Sequence, residues 1–193
     1  MRDHFIFRKN NQLKKTDKSL KQNWDKKIAN LCELINKTEN YYTTSSCSGR
    51  ILMLIDSKEK RDDLFIKVWH DELTLNELKK ALSNIKTKEI IYFKQEPCIL
   101  HIACRDIKDA QKMIDLGILA GWKRSSFISS RKRFVVELNA TEKIEFPILN
   151  HGKILVKDDF LKIVVSEANK KLKTSWEKIK RLEKLIKLNE LNK

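Results

Sequence analysis

Twice along this chain, two short apolar runs are followed by a helix signal. Residues 50–55 (RILMLI) and 64–69 (LFIKVW) flank the charged turn SKEKRDD and precede Thr74, which has Glu77 three residues later, the spacing of a capping box. Residues 90–95 (IIYFKQ) and 98–103 (CILHIA) flank Glu96-Pro97 and precede Asp106, the cap of a stretch whose inward face is Ile107, Ala110, Ile114 and Ile118. Paired strands alternating with single helices predict an α+β fold on a mixed or antiparallel sheet, built from strand–strand–helix units. Further strands are expected at 125–129, 133–138, 143–148 and 153–156. Leu20, Trp24, Ile28, Leu31 and Ile35 predict a helix over about 18–37, residues 1–15 read as extended, and 38–48 reads as a polar loop. From Asp158 onward apolar residues recur at three- and four-residue steps, and a helix to residue 190 would be about 48 Å long. No low-complexity linker interrupts the chain. One domain is therefore expected over 1–157, with a helical extension over 158–193 packed on it.

With 41% hydrophobic residues spread along 193 positions, the chain can bury a core, and wholesale disorder is excluded. No run of about 18 apolar residues is present, so no membrane helix is expected. The N-terminus lacks the apolar run of a secretory leader, and Cys32, Cys47, Cys98 and Cys104 lack the spacing of a disulfide scaffold; a cytoplasmic, reducing location is the expectation. The net charge is +15 and it is clustered. Residues 1–30 carry nine basic and three acidic side chains, 121–133 five basic and none acidic, and 166–193 nine basic and four acidic. A near-neutral body with three basic segments is the footprint of a polyanion binder, although a lysine-rich chain is also basic without such a partner.

The segment from Tyr42 to Arg50 (YTTSSCSGR) concentrates hydroxyls, a thiol, a glycine and a guanidinium just before a strand. Such a segment can present hydroxyls and backbone N–H groups to an anion, with Arg50 available for a bidentate contact, or it can be a solvated loop. His70 ends one expected strand and His101 lies inside another; each is a candidate proton acceptor or a hydrogen-bonded core residue. Lys94 and Glu96 place a cation and a carboxylate at a strand end, facing one pocket or forming a surface ion pair. Trp122, Lys123, Arg124 and Ser125, with Arg131, Lys132 and Arg133, mix basic and aromatic character suited to phosphate contact and base stacking; Trp122 is equally placed to be a core anchor. CxxC, HExxH, GxSxG, P-loop and GxGxxG patterns are all missing, so no metal site and no Rossmann nucleotide loop is expected.

Three segments, YYTTSSCSGRI at 41–51, FKQEPCILHIACRDIKDAQKM at 93–113 and GWKRSS at 121–126, resemble the tRNA wybutosine-synthesising protein 3 family, which is related to the archaeal tricyclic-base methyltransferases. The resemblance spans roughly residues 5–148. Asp17, Ser19, Lys21 and Asp25 match a family pattern in which glycine is usual where this chain has Gln22. The resemblance implies a barrel-like sheet with flanking helices, distinct from Rossmann methyltransferases. It also implies S-adenosylmethionine-dependent methylation of N4 in a 4-demethyl tricyclic guanosine (wybutosine or wyosine pathway) beside the anticodon of tRNA-Phe.

On that reading His70, His101, Ser46 and Arg50 are catalytic candidates, and Ser45, Ser48, Lys94 and Glu96 hold the methyl donor. Asp17, Lys21, Trp122, Lys123, Arg124, Ser125, Arg131 and Lys132 face the RNA. The implied partner is the anticodon stem-loop of tRNA-Phe, with neither DNA nor membrane. A tRNA-binding protein without catalysis is the alternative, and a third class is an assembly protein whose basic C-terminal helix docks on an acidic partner. The same helix could also serve dimerisation or extra RNA contact; oligomeric state is left open.

Overall fold

The computed structural model describes residues 3–14, 25–57, 62–131 and 133–189. In chain order its helices are α1 (His4–Leu13), α2 (Lys26–Lys37), α3 (Leu75–Ser83), α4 (Ile107–Leu119) and α5 (Asp158–Leu188). Its strands are β1 (Tyr41–Cys47), β2 (Arg50–Ile55), β3 (Phe65–Trp69), β4 (Ile91–Glu96), β5 (Ile99–Cys104), β6 (Ser126–Ser129), β7 (Phe134–Asn139), β8 (Ile144–Asn150) and β9 (Lys153–Ile154). The fold is α+β, without Rossmann topology and with a long C-terminal helix. The strands divide between two antiparallel sheets, ordered β1-β5-β7-β6 and β3-β2-β4-β8-β9, where the resemblance suggested one barrel-like sheet.

Chain neighbours enter different sheets at three places. β1 is followed by β2 across Ser48-Gly49, β4 by β5 across Pro97-Cys98, and β7 by β8 across residues 140–143. The runs at 90–95 and 98–103 are therefore not a hairpin. Proline cannot donate to a ladder and biases the residue before it toward extended backbone, so Glu96-Pro97 carries the chain onward rather than back.

Contacts divide the described residues into two compact units, each discontinuous in sequence. One comprises residues 1–48, 98–141 and 176–193; the other comprises 49–97 and 142–175. The boundary near the C-terminus falls inside α5, between residues 175 and 176. The helix itself runs unbroken for 31 residues.

In the first unit one face of the four-stranded sheet is covered by helices. Tyr41, Leu100, Ile102, Cys104, Val136 and Leu138 pack against Ile28, Leu31 and Ile35 of α2, Ala110 and Met113 of α4, and Ile179, Leu182 and Ile186 of α5. Residues 38–48 differ from the expected loop, because Tyr41–Cys47 gain a ladder on β5. A Thr/Ser run has no apolar alternation to announce a strand, but its β-branched residues suit one once a partner edge is supplied. Asn36 of α2 ties the helix to this strand: Thr43 N donates to its Oδ1 at 2.7 Å.

The N-terminal segment, expected to be extended, is α1. Asp3 caps it, accepting from Phe5 N at 2.9 Å and Ile6 N at 3.2 Å. Phe5 packs on Tyr42 with ring centroids 5.3 Å apart, and the buried Lys9 ammonium donates to the Thr38 carbonyl. Desolvation, with Arg105 as a like charge, lowers the Lys9 pKa.

In the second unit Phe93 of β4 stacks near Phe146 of β8, which meets Phe160 of α5 edge-on at 5.4 Å. Asn169 of α5 brackets Leu73, accepting from its N–H and donating to its carbonyl, both at 2.8 Å. The Thr74–Glu77 capping box forms as the spacing predicts.

Trp122 lies wholly inside the first unit's core, and its Nε1 donates to the Lys178 carbonyl at 3.3 Å. It presents no ring to RNA, which corrects its assignment as a stacking residue: the chain leaves α4 at Gly121 directly beneath α5, and the indole fills that space. Trp122→Ala is expected to destabilise the protein by about 3–5 kcal/mol, read as a fall in the urea midpoint.

Candidate active site

The polar segment that ends β1 alternates between two environments. Ser45 pairs with His101 across the ladder and is exposed on the sheet face away from the helices. Ser46, one residue on, points the other way and hydrogen-bonds the thiol of Cys32 on α2; burial holds that thiol up at about 11. The Ser48 hydroxyl donates to the carboxylate of Asp25, the residue that caps α2 and accepts from Lys27 N at 3.3 Å. Asp25 thus holds the helix start and the end of the polar segment together, a carboxylate where the helix dipole favours one. Gly49 follows with φ 100°, a left-handed conformation that a side chain would strain.

On the same open face a row runs across the sheet: Ser45 of β1, His101 of β5, Glu137 of β7 and Ser126 of β6 are successive register partners. His101 Nε2 lies 2.8 Å from Glu137 Oε2, with both side chains about a quarter exposed (28% and 27%). Nε2 faces the carboxylate, which leaves Nδ1 directed away from it. Sequence reasoning found His101 but not Glu137. Its only sequence signal is a lone carboxylate in an apolar strand, since the β5–β7 register is non-local.

In the second unit Arg50 opens β2 opposite Glu96 at the end of β4. Arg50 Nε donates to Glu96 Oε2 at 2.7 Å, and the guanidinium lies 5.5 Å from the Phe65 ring. Its terminal nitrogens have no partner among the described residues. Beside Glu96, Gln95 is fully buried; its Nε2 donates to the Glu96 carbonyl at 3.0 Å, while its Oε1 has no hydrogen-bond partner among the described residues.

Lys94 stands two register pairs along from the Arg50–Glu96 pair, 2.6 Å from Glu145 of β8, which also takes Lys143. The cation and carboxylate at this strand end are thus in separate ion pairs. His70 sits just past β3, half-buried.

Lys123 and Arg124 are exposed between α4 and β6, Ser125 Oγ donates to the Trp122 carbonyl at 2.6 Å, and Arg131 is exposed between β6 and β7. Asp17, Lys21 and Lys132 lie outside the described residues. No described helix is long and apolar enough to cross a membrane.

The Arg50–Glu96 pair has the chemistry of an amino-acid or nucleoside recogniser: a guanidinium whose terminal nitrogens, without a partner among the described residues, suit a carboxylate, and a carboxylate that suits an ammonium or ribose hydroxyl.

The model of the family described as Methyltransferase TYW3 matches residues 7–188. The chain belongs to this family. Among its relatives is a Methanocaldococcus jannaschii protein, 41% identical over 157 residues that make up 79% of this chain and 81% of that one. Its name is tRNA(Phe) 7-((3-amino-3-carboxypropyl)-4-demethylwyosine(37)-N(4))-methyltransferase. An Archaeoglobus fulgidus protein of the same name is 36% identical, covering 82% of this chain and 81% of its own. The solved structure of the PH1069 protein from Pyrococcus horikoshii superposes with a TM-score of 0.88 at 32% identity, covering 98% of this chain and 96% of that one. As a TYW3 methyltransferase the chain is an enzyme that needs a methyl donor, and the missing GxGxxG is a property of its two-sheet fold.

The Glu145 carboxyl is held below its ordinary 4.5, by Lys143 first and then by Lys94. Its contribution to stability is complete above that value and is lost as pH falls through the depressed one. Glu145→Gln is expected to flatten the loss of thermal stability below pH 4.5, measured by melting in a pH series.

Proposed function

We propose that this chain transfers the methyl group of S-adenosylmethionine to N4 of a 4-demethylwyosine-type base in tRNA-Phe. The observation that carries the reading is the match over residues 7–188 to a methyltransferase family whose relatives bear that name. The Arg50–Glu96 pair, whose guanidinium keeps terminal nitrogens without a partner among the described residues, supports the enzyme reading.

S-adenosylmethionine supplies an electrophilic methyl carbon on a sulfonium. Arg50 binds the donor's carboxylate through its terminal nitrogens while Glu96 fixes the guanidinium through Nε, so little side-chain freedom is lost on binding. Ser45, exposed beside His101, hydrogen-bonds an edge of the target base. His101 takes the proton released from N4 at Nδ1, and Glu137 holds the ring and balances the imidazolium. Lys123 and Arg124 contact phosphates of the anticodon stem-loop. Ser46 and Ser48, bonded to Cys32 and Asp25, position the segment rather than touch substrate.

Arg50→Ala is expected to weaken donor binding at least tenfold in calorimetric titration and to abolish methylation with the circular dichroism spectrum unchanged; full turnover in this variant would remove Arg50 from the site. His101→Asn is expected to lower the rate on tRNA-Phe roughly 10²–10⁴-fold while donor affinity is retained. Glu137→Gln should shift the pH–rate profile, and an unaltered profile would make the pair merely structural.

A further inference from the structure

The open face of the four-stranded sheet continues past His101. Ala103 follows it by two residues, about 7 Å along the strand, and pairs with Tyr42 on one side and Val135 on the other. Here α1 lies against the sheet and leaves a recess of about 210 Å³ between itself and the β6–β7 connection. The apolar surface of the recess is the half-buried rings of Phe5 and Phe134; Tyr42 and Ala103 lie buried beneath them. The rim is cationic: Arg8 of α1, Arg105 after β5, and Arg131 and Arg133, with His4 beside them. None of the residues lining the recess is a carboxylate.

The two acidic side chains nearest to Arg105 are already used. Asp3 takes its Nη1 at 2.6 Å and Glu39 its Nη2 at 3.2 Å, while Asn40 accepts from Nε at 2.7 Å. Arg105 is therefore the strut that anchors α1, stacked over Phe5 at 5.0 Å. It is not a ligand-binding group. Arg131 and Arg133 differ: both are exposed, and neither has an ion pair among the described residues. Two guanidinia without carboxylates, beside the half-buried rings of Phe5 and Phe134, form a site complementary to phosphates joined by sugars, because guanidinium forks match phosphate oxygens and a ring edge takes an adjoining sugar.

We propose that this recess is a binding site for the sugar–phosphate backbone of the RNA, held by Arg131 and Arg133 with Arg8 at its far rim. The inference rests on the reading of the chain as a tRNA methyltransferase and adds where the strand runs: along the open sheet face, from the His101–Glu137 row toward α1. The polar, exposed row takes the reacting base, and the next row takes the adjoining backbone. The occupant is an RNA strand, not an acidic peptide, because the recess continues the face that carries the proposed proton acceptor.

The test compares binding of a tRNA-Phe transcript to the full chain across a salt series. Arg131→Ala/Arg133→Ala is expected to reduce the slope of log K against log salt by about 1.4–1.8, the loss of two phosphate contacts, and Arg131→Lys/Arg133→Lys to keep most of it. Removing two exposed charges from α5 with Lys184→Ala/Lys187→Ala should change the slope by less than half as much. An unchanged slope in the recess variant, or equal changes in both alanine pairs, would overturn the site. So would weakened binding of poly-glutamate with tRNA binding intact, which would assign the recess to an acidic protein. Calorimetry with S-adenosylmethionine is run in parallel: absence of donor binding by the unaltered chain sinks the methyltransferase reading, whereas the salt slopes report on the recess in either case.

Discussion

The register of β5 is the constraint on which the first unit's chemistry depends. This strand lies between β1 and β7, so both edges of its backbone are committed to ladders, and its side chains alternate between a helix-covered face and an open one. Leu100, Ile102 and Cys104 fill the covered side; His101 and Ala103 take the other. Because the side-chain period is two, a slip of one residue would bury an imidazole among Ile28, Leu31 and Met113 and expose three apolar side chains. The hydrophobic effect on one face therefore fixes where His101 stands on the other.

Burial and chemistry are separated in the same way along β1. Tyr41 and Thr43 face α2 and its neighbours, Tyr42 lies on the other side buried under Phe5 of α1, and Ser45 faces the open part of that side, with the register shift between Thr43 and Ser45 carrying the strand past Thr44. That irregularity puts Ser45 beside His101 and turns Ser46 to Cys32. A strand bulge is a usual device for re-aiming a side chain near a site. In the second unit the alternation of β4 does similar work: Ile91, Phe93 and Gln95 are buried while Tyr92, Lys94 and Glu96 are half-exposed. Gln95 is the one polar member of the buried set, and its Nε2 donates to the Glu96 carbonyl.

What was legible in the sequence follows from which interactions are local. The Thr74–Glu77 box, the Asp106 cap and the C-terminal helix are written in consecutive residues and stand where the spacing put them. The SSCSGR segment was legible as unusual, but its strand form was not, because the ladder that makes it a strand comes from residues more than fifty positions away. α1 was missed although Asp3 is a good cap, since the helix is held by tertiary contacts: Phe5 on Tyr42, Lys9 on Thr38 and Asp3 on Arg105. The two sheets were hidden for the same reason. Glu96-Pro97 reads as a turn, and only the partners of β4 and β5 reveal that the chain crosses from one sheet to another there. Trp122, beside Lys123 and Arg124, looked like a stacking residue by association with its charged neighbours, yet a ring that large next to Gly121 was more valuable under α5.

The His101–Glu137 pair shows why a half-buried setting suits proton transfer. Fully exposed, the pair would be screened and its geometry loose; fully buried, the carboxylate would carry a desolvation cost that only a permanent countercharge offsets. At about a quarter exposure the carboxylate remains hydrated on one side and bonded to Nε2 on the other. The helix-covered face gives this arrangement its rigidity, since Leu100 and Ile102 on either side of His101 are fully buried.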